Sequence, residues 1–178
     1  MDEEKVRFET IMDVGPIVIS HTKNPVQGEA LSFLHRVLRL DILCLIPLST
    51  FLGAYLVMTK YLRVNRYEAS KTLIKTLSYD LPIYYEDMPK DIVVKALKDS
   101  AQYNVESWDS YIAHVAKVFR IEVVYTLDVD DFRKFSWLEP KLPIKEESLR
   151  VYHKWLKNKI SRFPLIRHFT EYDQAMVK

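Results

Sequence analysis

The chain has 178 residues and a mass of 21.1 kDa, the size of one domain or of one domain with a short appendage. Its 48% hydrophobic and 28% charged residues exclude a disordered chain, and its 3 glycines and 8 prolines exclude collagen-like and turn-dense all-β proteins. A formal net charge of +2 gives no whole-chain attraction to nucleic acid or to membranes. The single cysteine, Cys44, excludes an internal disulfide and a zinc site built from several thiolates, and the acidic residues 1–4 are unlike a signal peptide. We therefore expect a protein of the reducing cytoplasm.

Hydrophobic periodicity predicts three strands separated by helices. Residues 6–13 alternate in β-forming side chains, residues 42–46 form an apolar run typical of a central strand, and residues 121–127 are rich in β-branched side chains. The predicted helices span residues 25–40, 49–62, 65–77, 89–102 and 107–119, with a brief extended segment at 82–85. Because strands alternate with helices, the pattern predicts an α/β fold in which helices cover a central parallel sheet. In such sheets, ligands bind at the carboxyl ends of the strands.

One uncharged stretch, residues 42–59, is near the lower length limit of a membrane-spanning helix. Pro47 and Gly53 interrupt it, and it divides readily at the proline. We expect a buried strand followed by a buried helix, with a membrane anchor as the alternative.

The C-terminal part of the chain differs in charge from the rest. Residues 145–178 carry 8 Lys and Arg against 4 Asp and Glu, whereas residues 1–144 carry 18 against 20. We expect a domain over residues 1–144 followed by a basic, aromatic helical extension. This extension is either a solvated amphipathic helix docked on the domain, or a cationic arm in which Lys154, Lys157 and Arg162 contact the phosphates of RNA.

Three acidic residues fall where a parallel sheet would gather them. Asp13 ends the first predicted strand, Asp109 lies near the start of a predicted helix, and Asp128 follows the last predicted strand, with Asp131 close behind. Mg²⁺ and Mn²⁺ take oxygen ligands, so carboxylates from separate elements can converge on one ion. In a chain with 24 Asp and Glu, acids at the ends of elements also arise as helix caps. Position alone leaves both interpretations open.

The residues around these acids give them a more specific context. Residues 13–18 read Asp-Val-Gly-Pro-Ile-Val, residues 107–116 read Ser-Trp-Asp-Ser-Tyr-Ile-Ala-His-Val-Ala, and residues 124–132 read Val-Tyr-Thr-Leu-Asp-Val-Asp-Asp-Phe. In this order and at these separations, the segments resemble the PIN-domain family of metal-dependent ribonucleases. The resemblance covers roughly residues 8–141.

The resemblance implies a three-layer α/β/α sandwich whose acids line one cleft at the edge of the sheet. It implies that Asp13, Asp109 and Asp128 are catalytic and hold Mg²⁺ or Mn²⁺, that Asp131 is a fourth metal ligand, and that Thr126 orients a carboxylate or a water. The implied function is a Mg²⁺- or Mn²⁺-dependent endoribonuclease acting on single-stranded RNA. Such a protein is either the toxin half of a type II toxin–antitoxin pair or an RNA-processing relative. Without a cation, the clustered carboxylates should have raised pKa values.

The chain departs from the family pattern at two positions. Gly53 stands where family members usually carry a Glu, and Val14 stands where they often carry a Thr. The usual quartet of acids becomes a trio plus whatever Asp131 or Glu106 supplies. The alternative function is therefore a non-catalytic PIN-like module that binds RNA or a protein partner.

The resemblance also implies partners. Family members commonly form homodimers through apolar helices, and the toxin relatives are neutralised by a small antitoxin protein. Apolar positions on the helices over residues 52–62 and 67–77 are candidates for a dimer face, although core packing explains them equally well.

Overall fold

The computed structural model describes residues 7–161, which form a five-stranded, all-parallel sheet with helices on both faces. The strands are β1 (Thr10–Met12), β2 (Cys44–Pro47), β3 (Tyr84–Tyr85), β4 (Val123–Tyr125) and β5 (Glu139–Lys141). The helices are α1 (Val14–His21), α2 (Gln27–Leu38), α3 (Ser49–Leu56), α4 (Arg66–Leu77), α5 (Lys90–Tyr103), α6 (Ser107–Phe119), α7 (Val129–Phe132) and α8 (Glu146–Ser161). The strand order is β3-β2-β1-β4-β5, which places the first strand at the centre.

Two hydrophobic cores lie on opposite faces of the sheet. Met12 and Ile46 pack with buried residues of α1, α2, α3 and α4. Their neighbours Ile11 and Leu45 pack with buried residues of α5 and α6. Because successive side chains of a strand point to opposite faces, β1 and β2 each contribute to both cores. The predicted α/β class, a three-layer α/β/α sandwich with a parallel sheet, is confirmed.

The first predicted strand is shorter in the structure, and a helix follows it at once. Strand β1 spans Thr10–Met12, with all three residues buried, instead of residues 6–13. Helix α1 was not predicted, because its buried apolar run over residues 16–19 has no polar face to give it a helical period. Pro16 lies in the first turn of α1, where its missing N–H has no helical partner to lose. The tight strand-to-helix junction leaves Asp13 at the carboxyl end of β1.

The uncharged stretch at residues 42–59 divides as predicted. It forms the buried strand β2 and then α3, which continues into a π-helical turn over Val57–Tyr61. Helix α3 buries one face, and Leu52 on its other face is 69% exposed. Within residues 7–161, no helix is both long enough and apolar enough to cross a bilayer.

The amphipathic helices were predicted closely. Helix α6 spans Ser107–Phe119 as expected, and α4 begins after Asn65, whose side chain accepts hydrogen bonds from the N–H groups of Tyr67 and Glu68 at 2.9 and 3.4 Å. Strand β5 was not predicted, because its sequence, Glu-Pro-Lys, has no strand-like pattern. It adds to the sheet as an edge strand, where a proline is tolerated.

Helix α8 docks on the domain as an amphipathic helix. Tyr152 is buried in a cluster with Ile19 of α1 and Ala30 of α2. Glu29 accepts hydrogen bonds from the backbone N–H of Lys145, at 2.6 Å, and the hydroxyl of Ser148, at 2.5 Å, at the start of the helix. The division of the chain at residue 144 stays a prediction, and residues 162–178 lie outside the described part.

Candidate metal centre

The carboxyl ends of β1 and β4 meet at the centre of the sheet. The two strands pair in parallel, with Met12 opposite Tyr125, and the N–H of Asp13 donates to the carbonyl of Tyr125 at 3.0 Å. Asp13 therefore lies directly beside the segment that follows β4 and carries Thr126 and Asp128. The first turn of α6 brings Asp109 to the same place. Three segments that are distant in sequence thus meet at one edge of the sheet, as expected for ligand binding in parallel α/β proteins.

Three carboxylates approach one another most closely. Asp109, Asp128 and Asp131 each offer one carboxylate oxygen, and these three atoms lie within 4.8 Å of one another. Asp109 is buried, Asp131 is half-buried and Asp128 is exposed, so the group opens to solvent on one side. The N–H of Asp131 donates to Oδ1 of Asp128 at 3.3 Å, which fixes the turn that holds both acids. Such a group can hold a divalent cation between α6 and α7.

Asp13 lies deeper than the other three acids. It is 5% exposed, and its Oδ2 accepts a hydrogen bond of 2.8 Å from the Thr126 hydroxyl. The same Thr126 oxygen accepts from the N–H of Asp128 at 2.9 Å, so Thr126 connects the two acids. Oδ1 of Asp13 is buried and accepts no hydrogen bond of good geometry within residues 7–161, although the nearby backbone N–H groups of Val14 and Gly15 favour the ionised carboxylate. A buried carboxylate oxygen without a partner is costly, and a cation or an ordered water would satisfy it.

The acids perturb one another strongly. Burial, followed by the charges of Asp13, Asp128 and Asp131, raises the pKa of Asp109 from 3.8 to about 9. Burial raises the pKa of Asp13 to about 6, although its hydrogen bond with Thr126 acts in the opposite direction. Burial and then the charge of Asp131 also raise the pKa of Asp128. At neutral pH the site therefore keeps a proton on Asp109, and a divalent cation that replaced it would relieve the repulsion among the carboxylates.

The sequence-predicted acids are thus divided between two depths. The structure groups Asp109 and Asp128 with Asp131, whereas Asp13 lies behind them and is close enough for its charge to raise the pKa of Asp109. Glu106, the other possible supplementary acid, precedes α6 and is exposed. Its charge also contributes to the raised pKa of Asp109, but its carboxylate is not part of the close group.

A lysine that the sequence analysis did not single out lies against the cluster. Nζ of Lys134 donates to Oδ1 of Asp131 at 2.5 Å and to the carbonyl of Asn104 at 3.0 Å. The two side chains are 37% and 24% exposed, so this is a partly shielded ion pair. In the sequence, only the separation of three residues between Asp131 and Lys134 indicates this ion pair. Lys134 neutralises part of the acidic cluster and competes with any cation that binds Asp131.

Packing accounts for the absence of a side chain at Gly53 of α3, the position where the resemblance predicts a Glu. A Cβ added to Gly53 would lie 2.9 Å from Cγ2 of Val14 and 3.3 Å from Cε2 of Trp108. The first distance is shorter than carbon atoms tolerate without a shift, so the side chains of Val14 and Trp108 fill the space a larger residue would need. The two departures from the family pattern, at positions 14 and 53, are therefore in contact.

The basic candidates of the extension lie on α8. Lys154 and Lys157 are exposed, and Arg162 lies outside the described residues. The aromatic residues nearby are used in packing: Tyr152 is buried, and the ring of Trp155 stacks on it at 5.6 Å between centroids. The structure thus leaves Lys154 and Lys157 available for phosphate contacts.

Comparison with known proteins gives little further information. No family model matches the chain, and no curated protein matches it. Among solved structures, the chain is similar to one described as the crystal structure of FitAcB from Neisseria gonorrhoeae, with 18% sequence identity and a TM-score of 0.49. The similarity covers 75% of this chain and 97% of that chain. A likeness this distant assigns no function, which has to be argued from the site.

Proposed function

We propose that the protein is a Mg²⁺- or Mn²⁺-dependent endoribonuclease of the PIN-domain type that hydrolyses phosphodiester bonds of single-stranded RNA. The observation that carries the proposal is the convergence of Asp109, Asp128 and Asp131 within 4.8 Å, in front of the buried Asp13. The sequence context of these acids, which resembles that family, supports the same conclusion.

The residues present fit a hard divalent cation. All the candidate ligand atoms are carboxylate oxygens, with no thiolate or imidazole in the close group, and this donor set favours Mg²⁺ or Mn²⁺ over zinc. The unpartnered Oδ1 of Asp13 offers a further oxygen. A bound divalent cation would make a water acidic enough to attack phosphorus and would neutralise charge on the phosphate and the leaving oxygen.

The protein's own residues would position the reaction. Burial fixes Asp109, while Thr126 holds Asp13 and the backbone of Asp128 in one arrangement. In the hydrolysis, the water would give up one proton as its oxygen bonds to phosphorus, the bond from phosphorus to the leaving ribose oxygen would break, and that oxygen would take up a proton, so that protons balance. Lys134, adjacent to the open side of the cluster, is placed to exchange its contact with Asp131 for one with a phosphate oxygen.

The direct test is cleavage of an end-labelled single-stranded RNA with Mn²⁺, with and without EDTA. We expect cleavage by the wild type that EDTA abolishes, strong loss of cleavage in Asp109→Asn, and retention in Asp130→Asn. Asp130 is a matched control because its side chain is 91% exposed on the same turn. Cleavage that survives both EDTA and Asp109→Asn would reject the metal-site mechanism.

A second candidate function is a non-catalytic module that binds RNA or a protein. The tight packing around Gly53, which leaves no room for the usual fourth acid without a shift, favours it. Titration calorimetry with Mn²⁺ separates the two functions. A functioning site should bind Mn²⁺ in the micromolar to millimolar range and lose the heat of binding in Asp13→Asn, whereas a pure binding module should show no such heat.

The expected partners also remain proposals. Apolar residues on the outer faces of α3 and α4, among them Leu52 and Ile74 at 69% and 60% exposed, support a homodimer through these helices. A small antitoxin protein follows from the family resemblance alone, and the exposed Lys154 and Lys157 support a contribution of the extension to RNA binding. The buried free thiol of Cys44 suits the cytoplasm, where we expect the protein to act.

A further inference from the structure

An apolar pocket lies beside the acidic cluster. It is formed between α5 and α6, with the start of α3 and the loop before α5 closing its sides, and it encloses about 160 Å³. The rings of Trp108 and Tyr111 line it together with Leu97 and Met88. Most of its surface is carbon, as in pockets that bind the flat face of an organic ligand.

Trp108 joins this pocket to the proposed reaction site. It immediately precedes Asp109 in the first turn of α6. Its indole packs over Gly53, where a Cβ would come within 3.3 Å of Cε2, and this same point is in contact with Val14 beside Asp13. A ligand in the pocket would therefore contact Trp108, which adjoins Asp109 in sequence and lies near Val14, the residue after Asp13.

One polar atom in the pocket lacks a partner. Ser49 lines the pocket and is 7% exposed, and its hydroxyl oxygen has no hydrogen-bond partner in the part of the chain that the structure describes. Buried hydroxyls are nearly always hydrogen-bonded, so this one requires a partner beyond residues 7–161, which is either an ordered water or a polar group of a bound ligand. The ligand then needs an apolar face and a hydrogen-bonding edge.

The pocket is preformed and accessible. The hydroxyl of Tyr111 donates to the carbonyl of Asp87 at 3.0 Å, which ties the loop carrying Met88 to α6. At the mouth, Met88 and Leu97 are 56% and 57% exposed. A ligand can enter past these two side chains without rearrangement of the aromatic walls.

We propose that this pocket binds one unstacked nucleobase of the RNA strand, next to the scissile phosphate, and so selects where the strand is cut. The proposal rests on the proposed ribonuclease function and adds a specificity site to it. A base has an aromatic face for Trp108 and a polar edge for the Ser49 hydroxyl, whereas an apolar peptide side chain would leave that hydroxyl unsatisfied. A cation held by the neighbouring acids would attract the phosphate of the same nucleotide.

The first experiment is cleavage mapping on a single-stranded RNA of mixed sequence with Mn²⁺. We expect the wild type to prefer one base at a fixed position relative to the cut bond. Leu97→Glu should block the pocket mouth and erase that preference, while Val94→Glu, at another exposed position of α5 that does not line the pocket, should keep it. Ser49→Ala should change which base is preferred and should not lower the melting temperature, because it removes an unsatisfied hydroxyl. A base preference unchanged in both pocket variants would overturn the proposal.

The second experiment separates this proposal from the ribonuclease function. Binding of short RNAs that each carry one abasic nucleotide is measured in EDTA by fluorescence anisotropy. We expect one abasic position to weaken binding by roughly five- to hundredfold, the range for loss of a base–aromatic contact, and Leu97→Glu to be insensitive to it. This binding result is expected whether or not the wild type cleaves RNA. A wild type that binds in this way and does not cleave would reject the proposed activity and leave the base pocket in place. Equal binding of all abasic RNAs would reject the base pocket, and the cavity would then suit an apolar side chain of a protein partner.

Discussion

Replacing Asp109 by Asn should stabilise the cation-free protein, although the same change removes the proposed activity. The pKa of Asp109 is raised to about 9 in the folded protein, from 3.8 in the unfolded chain. Between these values the folded state keeps a proton that the unfolded chain has released, so its contribution to stability falls as pH rises. The contribution is fully present below about pH 4, is lost progressively, and changes no further above about pH 9.

The magnitude follows from the span over which this proton is retained. From pH 3.8 to pH 7, Asp109 lowers the free energy of unfolding by about 1.4 kcal/mol per pH unit. The upper limit of this loss is therefore roughly 4 kcal/mol at pH 7. Relaxation of the turn and entry of water lower this limit, and we expect Asp109→Asn to raise the free energy of unfolding by about 1–3 kcal/mol at pH 7. The gain should grow between pH 5.5 and pH 8.5, because the asparagine does not titrate.

The assay is urea unfolding in EDTA across that pH range, for the wild type, Asp109→Asn and Asp130→Asn. The Asp130 control should leave stability nearly unchanged, since that side chain is 91% exposed. Adding Mn²⁺ at one hundred times its Kd should raise the stability of the wild type by about 2.7 kcal/mol and leave the variant unchanged, so the gap between them should close at pH 7. A variant that is less stable than the wild type at pH 8, or a gain that does not change with pH, would refute the electrostatic reasoning.

Three further changes test the site and its surroundings. Gly53→Glu should lower the free energy of unfolding in urea by about 1–3 kcal/mol, because its Cβ would lie 2.9 Å from Val14. If adding Val14→Ala did not reduce this loss, the packing argument would be wrong. Lys134→Met should tighten Mn²⁺ binding in calorimetry by roughly two- to fivefold, since it removes a competing partly exposed ion pair, and weaker binding would show that the lysine supports the site instead. Light scattering should give about twice the 21.1 kDa chain mass for the wild type and one chain mass for Ile74→Glu, whereas a monomeric wild type would exclude the dimer.

Local patterns predicted those elements that have one polar face. Helix α5 buries Ile92 and Ala96 on one side and exposes Lys95 and Lys98 on the other, so its period gave both ends to within one residue. Helix α1 and strand β1 are buried almost all round, and a continuous apolar run does not distinguish a helix from a strand. Strand β5 was missed for the opposite reason. Its Glu-Pro-Lys sequence has little strand propensity, and it forms a strand because of its place at the edge of the sheet.

The sequence was sufficient to predict which acids belong to the candidate site, but not how they are arranged in space. Spacing alone puts Asp128 and Asp131 on one turn, and the structure keeps them together. The depth of Asp13 depends on the pairing of β1 with β4, which are separated by more than a hundred residues, and no local pattern encodes that pairing. Lys134 was missed because a lysine near three acids in sequence is common on any solvated turn, and only its contact with Asp131 gives it a role.

The loss of the expected Glu and the presence of the apolar pocket have one structural cause. The absence of a side chain at Gly53 lets the indole of Trp108 lie against α3, and Val14 fills the remaining space. A side chain at position 53 would push Val14 aside and press on that indole, which is a wall of the pocket, so we expect a Glu there to reshape the pocket. Asp131, on a turn that does not touch this contact, supplies an acid from the other side of the cluster. It follows that Gly53→Glu, even with Val14→Ala to make room, should weaken base selection in the cleavage map while leaving the Mn²⁺ requirement of cleavage in place.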